Sequence, residues 1–106
     1  MVAPAGCPVK LDLAPRAVRE AERCAGWWRE HRPTAPALFE VELRAALDVI
    51  RSAPRVGGIY EELEGREYRR LLLPETRYHV YYRVVGPEHV RVLAVWSAVR
   101  GRGPRL

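Results

Sequence analysis

The chain is poor in most of the features that make a sequence explain itself. Its 106 residues hold only two cysteines, Cys7 and Cys24. Neither has histidines nearby at ligand spacing, so no thiolate–imidazole metal site is expected. Both are read as free thiols, Cys24 partly buried. No run approaches the roughly 20 apolar residues of a membrane span. Residues 1–8 lack the basic start and long apolar stretch of an export signal, so they are read as a flexible leader and a cytoplasmic location is expected. Lysine is nearly absent: Lys10 is the only one among 18 basic residues. Coding bias alone explains an arginine preference of this kind, so it carries no functional weight. Internal repeats and linker-like stretches are missing too. The length fits one domain, large enough to bury a core without disulfides or metal. With 48% hydrophobic and 29% charged residues the composition is that of an ordinary globular chain. No cofactor and no metal are expected.

What the chain does have is positive charge gathered in one part. Residues 1–65 carry nine Lys/Arg against ten Asp/Glu, whereas residues 66–106 carry nine Arg against three Glu. The whole excess of +5 therefore comes from the C-terminal part. Such an asymmetry fits an anionic partner, nucleic acid or an acidic protein segment. The alternative reading is a basic face that is merely solvated.

Hydrophobic periodicity gives the elements. Val9-Lys10-Leu11-Asp12-Leu13 alternates with the period of a half-buried strand. Pro15 suits the first turn of a helix, and Val18, Ala21, Ala25 and Trp28 recur at helical spacing up to His31-Arg32-Pro33. Thr34 is read as the N-cap of a second helix with Pro36 in its first turn. Its stripe is Phe39, Leu43, Ala46, Leu47 and Ile50. The short connection makes the pair an antiparallel hairpin. Arg55–Gly65 is glycine-bearing and acidic and is read as a loop. Tyr68–Leu73, Arg77–Val85 and His89–Trp96 follow as strands, split by Pro74-Glu75-Thr76 and Gly86-Pro87-Glu88, and form an antiparallel meander. The expected fold is α+β in the order β-α-α-β-β-β: residues 1–8 a leader, 9–99 the domain, 100–106 a polar, mobile tail.

Alternation assigns faces. Tyr78, Val80, Tyr82 and Val84, with Val90, Val92, Ala94 and Trp96, are expected under the helices. The opposite face then carries His79, Tyr81 and Arg83, with Arg69 or Arg70 from the neighbouring strand. Which of those two arginines faces out depends on register, because a one-residue slip exchanges them. A basic face with aromatics among its arginines suits an anionic or nucleic-acid ligand. Adjacent Trp27 and Trp28 point about 100° apart on a helix. Trp28 fits the buried stripe. Trp27 is then either an exposed partner contact or a ring lying against the loop that follows.

The element order, the helix ending in Trp27-Trp28, the loop Pro54-Arg55-Val56-Gly57, Arg69-Arg70-Leu71-Leu72-Leu73, Arg77-Tyr78-His79-Val80-Tyr81-Tyr82-Arg83 and Val92-Leu93-Ala94-Val95-Trp96 with its Arg/Gly tail resemble the RelE/ParE superfamily of type II toxins, the ParE branch in particular. The resemblance covers about residues 9–105. It implies a toxin neutralised by a cognate antitoxin, with operator DNA reached only through that antitoxin. ParE-like members poison DNA gyrase. RelE-like members cut messenger RNA on the ribosome with sheet cations and a C-terminal Tyr or His. Members without toxicity would serve as repressor partners.

Ribonuclease chemistry wants a base, an acid and a cation. Arg69, Arg70 and Arg83 can supply the cation and His79 a base, although a strand histidine is more often structural. Where RNA-cleaving relatives place Tyr or His, this chain has Trp96-Ser97-Ala98-Val99-Arg100. Glu61, Glu62 and Glu64 are loop acids, which usually just meet solvent. The gyrase-directed reading is therefore preferred, with the ribosome-dependent endonuclease as the alternative. Expected target contacts are Arg70, Tyr81, Arg83, Trp96 and Arg100. Expected antitoxin contacts are Trp27, Phe39, Leu43, Arg69 and Arg77.

Overall fold

The structure, a computed structural model, describes residues 9–106. The expected leader and Cys7 lie outside the described residues. Seven elements follow in order: β1 (Lys10–Leu13), α1 (Pro15–His31), α2 (Leu38–Ser52), β2 (Gly58–Leu63), β3 (Arg66–Leu73), β4 (Tyr78–Gly86) and β5 (His89–Ser97). They build one five-stranded sheet, ordered β1-β5-β4-β3-β2, with both helices on one face. β1 runs parallel to β5, and the other neighbours are antiparallel.

One element was missed. The acidic segment read as a loop holds β2, which pairs with β3 and extends the meander to four strands. Its reversal is a two-residue turn, Glu64-Gly65, with φ of 52° and 79°. Positive φ at both central residues is what a hairpin of this length requires. The second helix also starts later than expected. Pro36 biases the residue before it away from helical geometry, and Ala35 and Leu38 instead close turns onto the carbonyls of Arg32 and Ala35. Thr34 therefore lies in the connection, and Ala37 precedes the helix without a side-chain cap.

α1 begins at Pro15, where a missing N–H costs nothing, and stops before Pro33. Its buried stripe is Ala17, Ala21, Cys24, Ala25 and Trp28, with Val18 turned outward at 40% exposure. α2 contributes Phe39, Leu43, Ala46, Leu47 and Ile50. Beneath them lie Leu73, Val80, Tyr82, Val90, Val92 and Val95. Phe39 is fully buried and meets the Tyr78 ring edge-on, centroids 5.1 Å apart.

Polar side chains stitch the layers together. β5 outruns β1, and the Val95 N–H donates to Glu20 Oε1 on α1 at 2.9 Å. Asp12 ties β1 to β5 by accepting from Arg91 (3.0 Å) while meeting His89 Nε2 (2.5 Å). These bonds, His89 first, hold the Asp12 carboxyl below its usual range. Glu42 of α2 accepts from the N–H groups of Glu75 and Thr76 (2.9 and 2.8 Å) and from the Thr76 hydroxyl (2.7 Å). Partial burial pushes its pKa up, but these three bonds outweigh that and leave it lowered. A carboxyl lowered in the folded state stabilises fully above its unfolded pKa, and the gain disappears as pH falls through the folded value. Glu42→Ala is expected to cost about 2 kcal/mol at neutral pH. Stability should also decline on acidification below the ordinary glutamate value of 4.5. Urea unfolding at stepped pH checks both, with Glu42→Gln expected to flatten the acid decline.

Candidate functional site

The face away from the helices is set by register. Arg70 pairs with Tyr81 and Leu72 with His79, so Arg70 shares the outer face with both. Arg69 pairs with Tyr82 and belongs to the helix side. There its guanidinium donates to the carbonyls of Gly57 (2.7 Å) and Arg55 (3.2 Å) and meets Glu67 (3.1 Å). Arg83 pairs with Arg91 and stays on the outer face.

The last strand corrects one assignment. Tyr82 pairs with Val92 but Tyr81 with Ala94, so Leu93 is a bulged residue. One inserted residue reverses the alternation beyond it. Val95 turns into the helix-side core, and Ala94 and Trp96 turn to the outer face, Trp96 opposite His79. Both had been expected under the helices.

Aromatic rings floor this outer face, and arginines cover them. Tyr60, a bulged residue of β2, meets the Tyr81 ring edge-on at 4.8 Å. Arg70 lies over Tyr60 (5.2 Å), Arg83 over Tyr68 (5.9 Å), and Arg100 and Arg16 over Trp96 (4.6 and 5.9 Å). Stacked in this way, Arg70, Arg83 and Arg100 keep their in-plane N–H donors free, whereas Arg16 spends donors on Glu20 and on the tail.

The tail also differs from expectation. Rather than trailing into solvent, residues 98–106 fold back over the outer face. Three side chains donate to its carbonyls: Trp96 Nε1 to Arg102 (3.1 Å), Tyr60 to Pro104 (3.1 Å) and Arg16 to Arg105 (2.6 Å). Burial, with Tyr81 and Glu61 nearby, raises the Tyr60 phenol, so it remains a donor. Pro104 is buried, and Gly103 lies so close to Tyr60 that a Cβ there would stand 2.8 Å from the ring carbon bearing the hydroxyl. Ala98 N–H donates to the Arg77 carbonyl (2.8 Å) at the tail's start. The consequence is that Tyr81 is only 1% exposed. A cleft of about 110 Å³ remains between tail and sheet, lined among others by Arg70, His79, Ser97, Arg100 and Arg102. Burial first, then the charges of Arg70 and Arg77, lowers the His79 pKa, so its imidazole is neutral at pH 7.

The expected target contacts Arg70, Arg83, Trp96 and Arg100 therefore do share the outer face, while Tyr81 is sealed beneath the tail. The expected antitoxin contacts do not form one patch. Phe39 is fully buried and offers no surface. It underlies a groove of about 310 Å³ that includes Ala21, Ala25, Leu43 and Leu47. Arg69 is turned inward, and Arg77 sits in the β3–β4 turn with a φ of 64°. Trp27 is 41% exposed at the end of α1, stacked on His31 at 4.5 Å and covered by Arg32 at 5.0 Å. Sequence reasoning missed Tyr60, Tyr68 and Arg16. The turn Glu64-Gly65 after Ile59-Tyr60 was the available signal for the first two; Arg16 left none.

A family model described as the ParE toxin of the type II toxin–antitoxin system parDE matches residues 11–101. The chain belongs to the ParE toxin family. Its fold is similar to a chain of the chromosomal ParDE TA system from P. aeruginosa, with a TM-score of 0.69 at 14% identity, covering 84% of this chain and 95% of that one. The intact RelBE toxin–antitoxin complex of E. coli holds a chain similar at TM-score 0.57 and 22% identity, over 87% of this chain and 99% of that one. An arginine double mutant of E. coli RelE in the free state gives 0.54 and 23%, over 87% and 85%. No curated protein matches. This ParE-family toxin thus carries the superfamily fold with its outer sheet face under its own tail. Among its described residues no helix is long and apolar enough to cross a membrane.

Proposed function

We propose that this ParE-family toxin arrests growth by binding DNA gyrase, and that a cognate antitoxin neutralises it. The observation that carries the reading is the end of β5. A ribonuclease of this fold needs a proton donor and acceptor beside its phosphate-binding cations. Here the strand ends in Trp96-Ser97-Ala98, the Trp96 N–H is spent on the tail, and a neutral His79 lies under that tail beside Arg70. Exposed cations above a covered aromatic floor serve binding and blocking, which require no proton transfer. The antitoxin reading is supported by the RelBE complex among the similar structures and by the apolar groove between α1 and α2, which fits an amphipathic helix.

The test pairs two reactions. Purified chain is incubated with gyrase and supercoiled plasmid, and in parallel with ribosomes and messenger RNA. Gyrase inhibition or trapped cleaved plasmid, with intact messenger, is expected. Codon-positioned cuts with gyrase unaffected would overturn the reading and make Arg70, His79 and Arg83 the residues to mutate. In cells, Arg70→Glu with Arg83→Glu is expected to abolish growth arrest and weaken antitoxin binding. Unchanged toxicity in a double variant folded by circular dichroism would remove the outer face from the mechanism.

A further inference from the structure

Charge in this molecule is sorted by layer. Across α1 and α2 basic and acidic side chains balance: Arg16, Arg19, Arg23, Arg29, Arg44 and Arg51 against Glu20, Glu22, Glu30, Glu40, Glu42 and Asp48. On the outer face and its tail stand Lys10, Arg70, Arg83, Arg91, Arg100 and Arg102 against Asp12 and Glu61. Asp12 is already engaged by His89 and Arg91. Lys10, Arg70, Arg91, Arg100 and Arg102 are exposed. The tail is anchored through its own carbonyls, so its arginine side chains are presented rather than consumed.

The same geometry selects among anions. Single-stranded nucleic acid is held by stacking bases on open aromatic faces. Here Tyr81 is sealed, and Tyr60, Tyr68 and Trp96 each lie beneath a guanidinium. What is left for a ligand is a field of cations without a stacking surface, which matches a phosphate backbone whose bases are already stacked inside a helix.

We propose that the outer sheet face and its docked tail bind the phosphodiester backbone of double-stranded DNA directly and without sequence preference. The inference goes beyond the proposed topoisomerase target and does not depend on it. It also places duplex DNA on this chain itself, whereas the family resemblance brings in operator DNA only through the antitoxin.

The experiment is fluorescence anisotropy of a labelled DNA duplex of about two helical turns, titrated with the full chain from about 50 to 200 mM salt. Binding should weaken with salt at a log–log slope of about −3 to −4, as for three or four neutralised phosphates. Two double variants remove equal charge from different layers: Arg70→Gln with Arg102→Gln, and Arg19→Gln with Arg44→Gln. All four residues are exposed, so folding is preserved, with circular dichroism as the check. The first pair should weaken duplex binding about tenfold and flatten the slope by about two. The second should stay within about twofold. Three outcomes overturn the proposal: no duplex binding at the lowest salt, equal losses in both pairs, or single strands bound more tightly than duplex. A polyglutamate peptide bound while duplex is left free overturns it as well and assigns the face to an acidic protein segment.

Discussion

Phe39→Ala is expected to lower the stability of the isolated chain by about 3–5 kcal/mol. Phe39 has no exposed surface, stands at the start of α2, and touches the sheet through the ring of Tyr78. It is also the chain's only phenylalanine. The helix layer holds to the sheet through few large groups: α1 buries two alanines and Trp28, α2 buries Phe39, Ala46 and Ile50. Alanines fit the helices close to the sheet but bury little area each, so the large rings carry a disproportionate share of the apolar burial. A domain of this size has about 5–15 kcal/mol in all, so the substitution removes a large fraction of it. Thermal unfolding followed by circular dichroism should show a midpoint lower by at least about 12 °C. A drop below about 1 kcal/mol would mean that the hairpin is held elsewhere. The residue had been read as an antitoxin contact. Its burial means that any loss of antitoxin binding in the variant arises from the collapsed groove above it.

What was legible in the chain follows the physics of each segment. Both helices and four of the five strands announce themselves because one face of each is buried, and burial writes a period of 3.6 or 2 into the sequence. β2 did not. It is an edge strand whose Ile59, Glu62 and Leu63 face solvent, so its alternation is weak and the Gly57-Gly58 pair at its start reads as loop. The choice between Arg69 and Arg70 needed the pairing with Tyr81 and Tyr82, because adjacent identical residues carry no phase. Val92-Leu93-Ala94-Val95-Trp96 is apolar throughout, so nothing in it marks the bulge at Leu93 that turns Trp96 outward. The tail was unreadable for another reason. Arg-Gly-Arg-Gly-Pro-Arg has the composition of a mobile segment, and it is held through carbonyl oxygens, which every residue possesses. The site was therefore half visible: its arginines could be named, but the covering that closes their aromatic floor could not.

The second large effect is expected at Gly57, between α2 and β2. A Cβ there would stand 2.7 Å from the Arg70 carbonyl oxygen and 2.8 Å from the Tyr82 hydroxyl. The first of those atoms is sheet backbone, held by the pairing of Arg70 with Gly58 and Tyr81. It cannot give way without shifting β3. The second accepts the Gly57 N–H at 2.9 Å and is fully buried, so moving it strands a donor away from water. Burial, foremost among its causes, raises the Tyr82 phenol and keeps it protonated. Gly57→Val brings a branched side chain into this gap and is expected to cost about 3 kcal/mol through overpacking, with the lost hydrogen bond adding to it. The functional effect should exceed the loss of stability, because the Gly57 carbonyl is also the closest acceptor of the Arg69 guanidinium and Arg70 lies directly on the displaced backbone. Tyr82→Phe separates the two contributions. It removes the acceptor without adding bulk, so it should cost about 1–3 kcal/mol and leave Arg70 where it is. If Gly57→Val lowers the unfolding midpoint no further than Tyr82→Phe does, the close approach is not what fixes this loop. A larger drop, with growth arrest lost in the glycine variant but kept in the tyrosine one, would tie the position of Arg70 to the packing of this single residue.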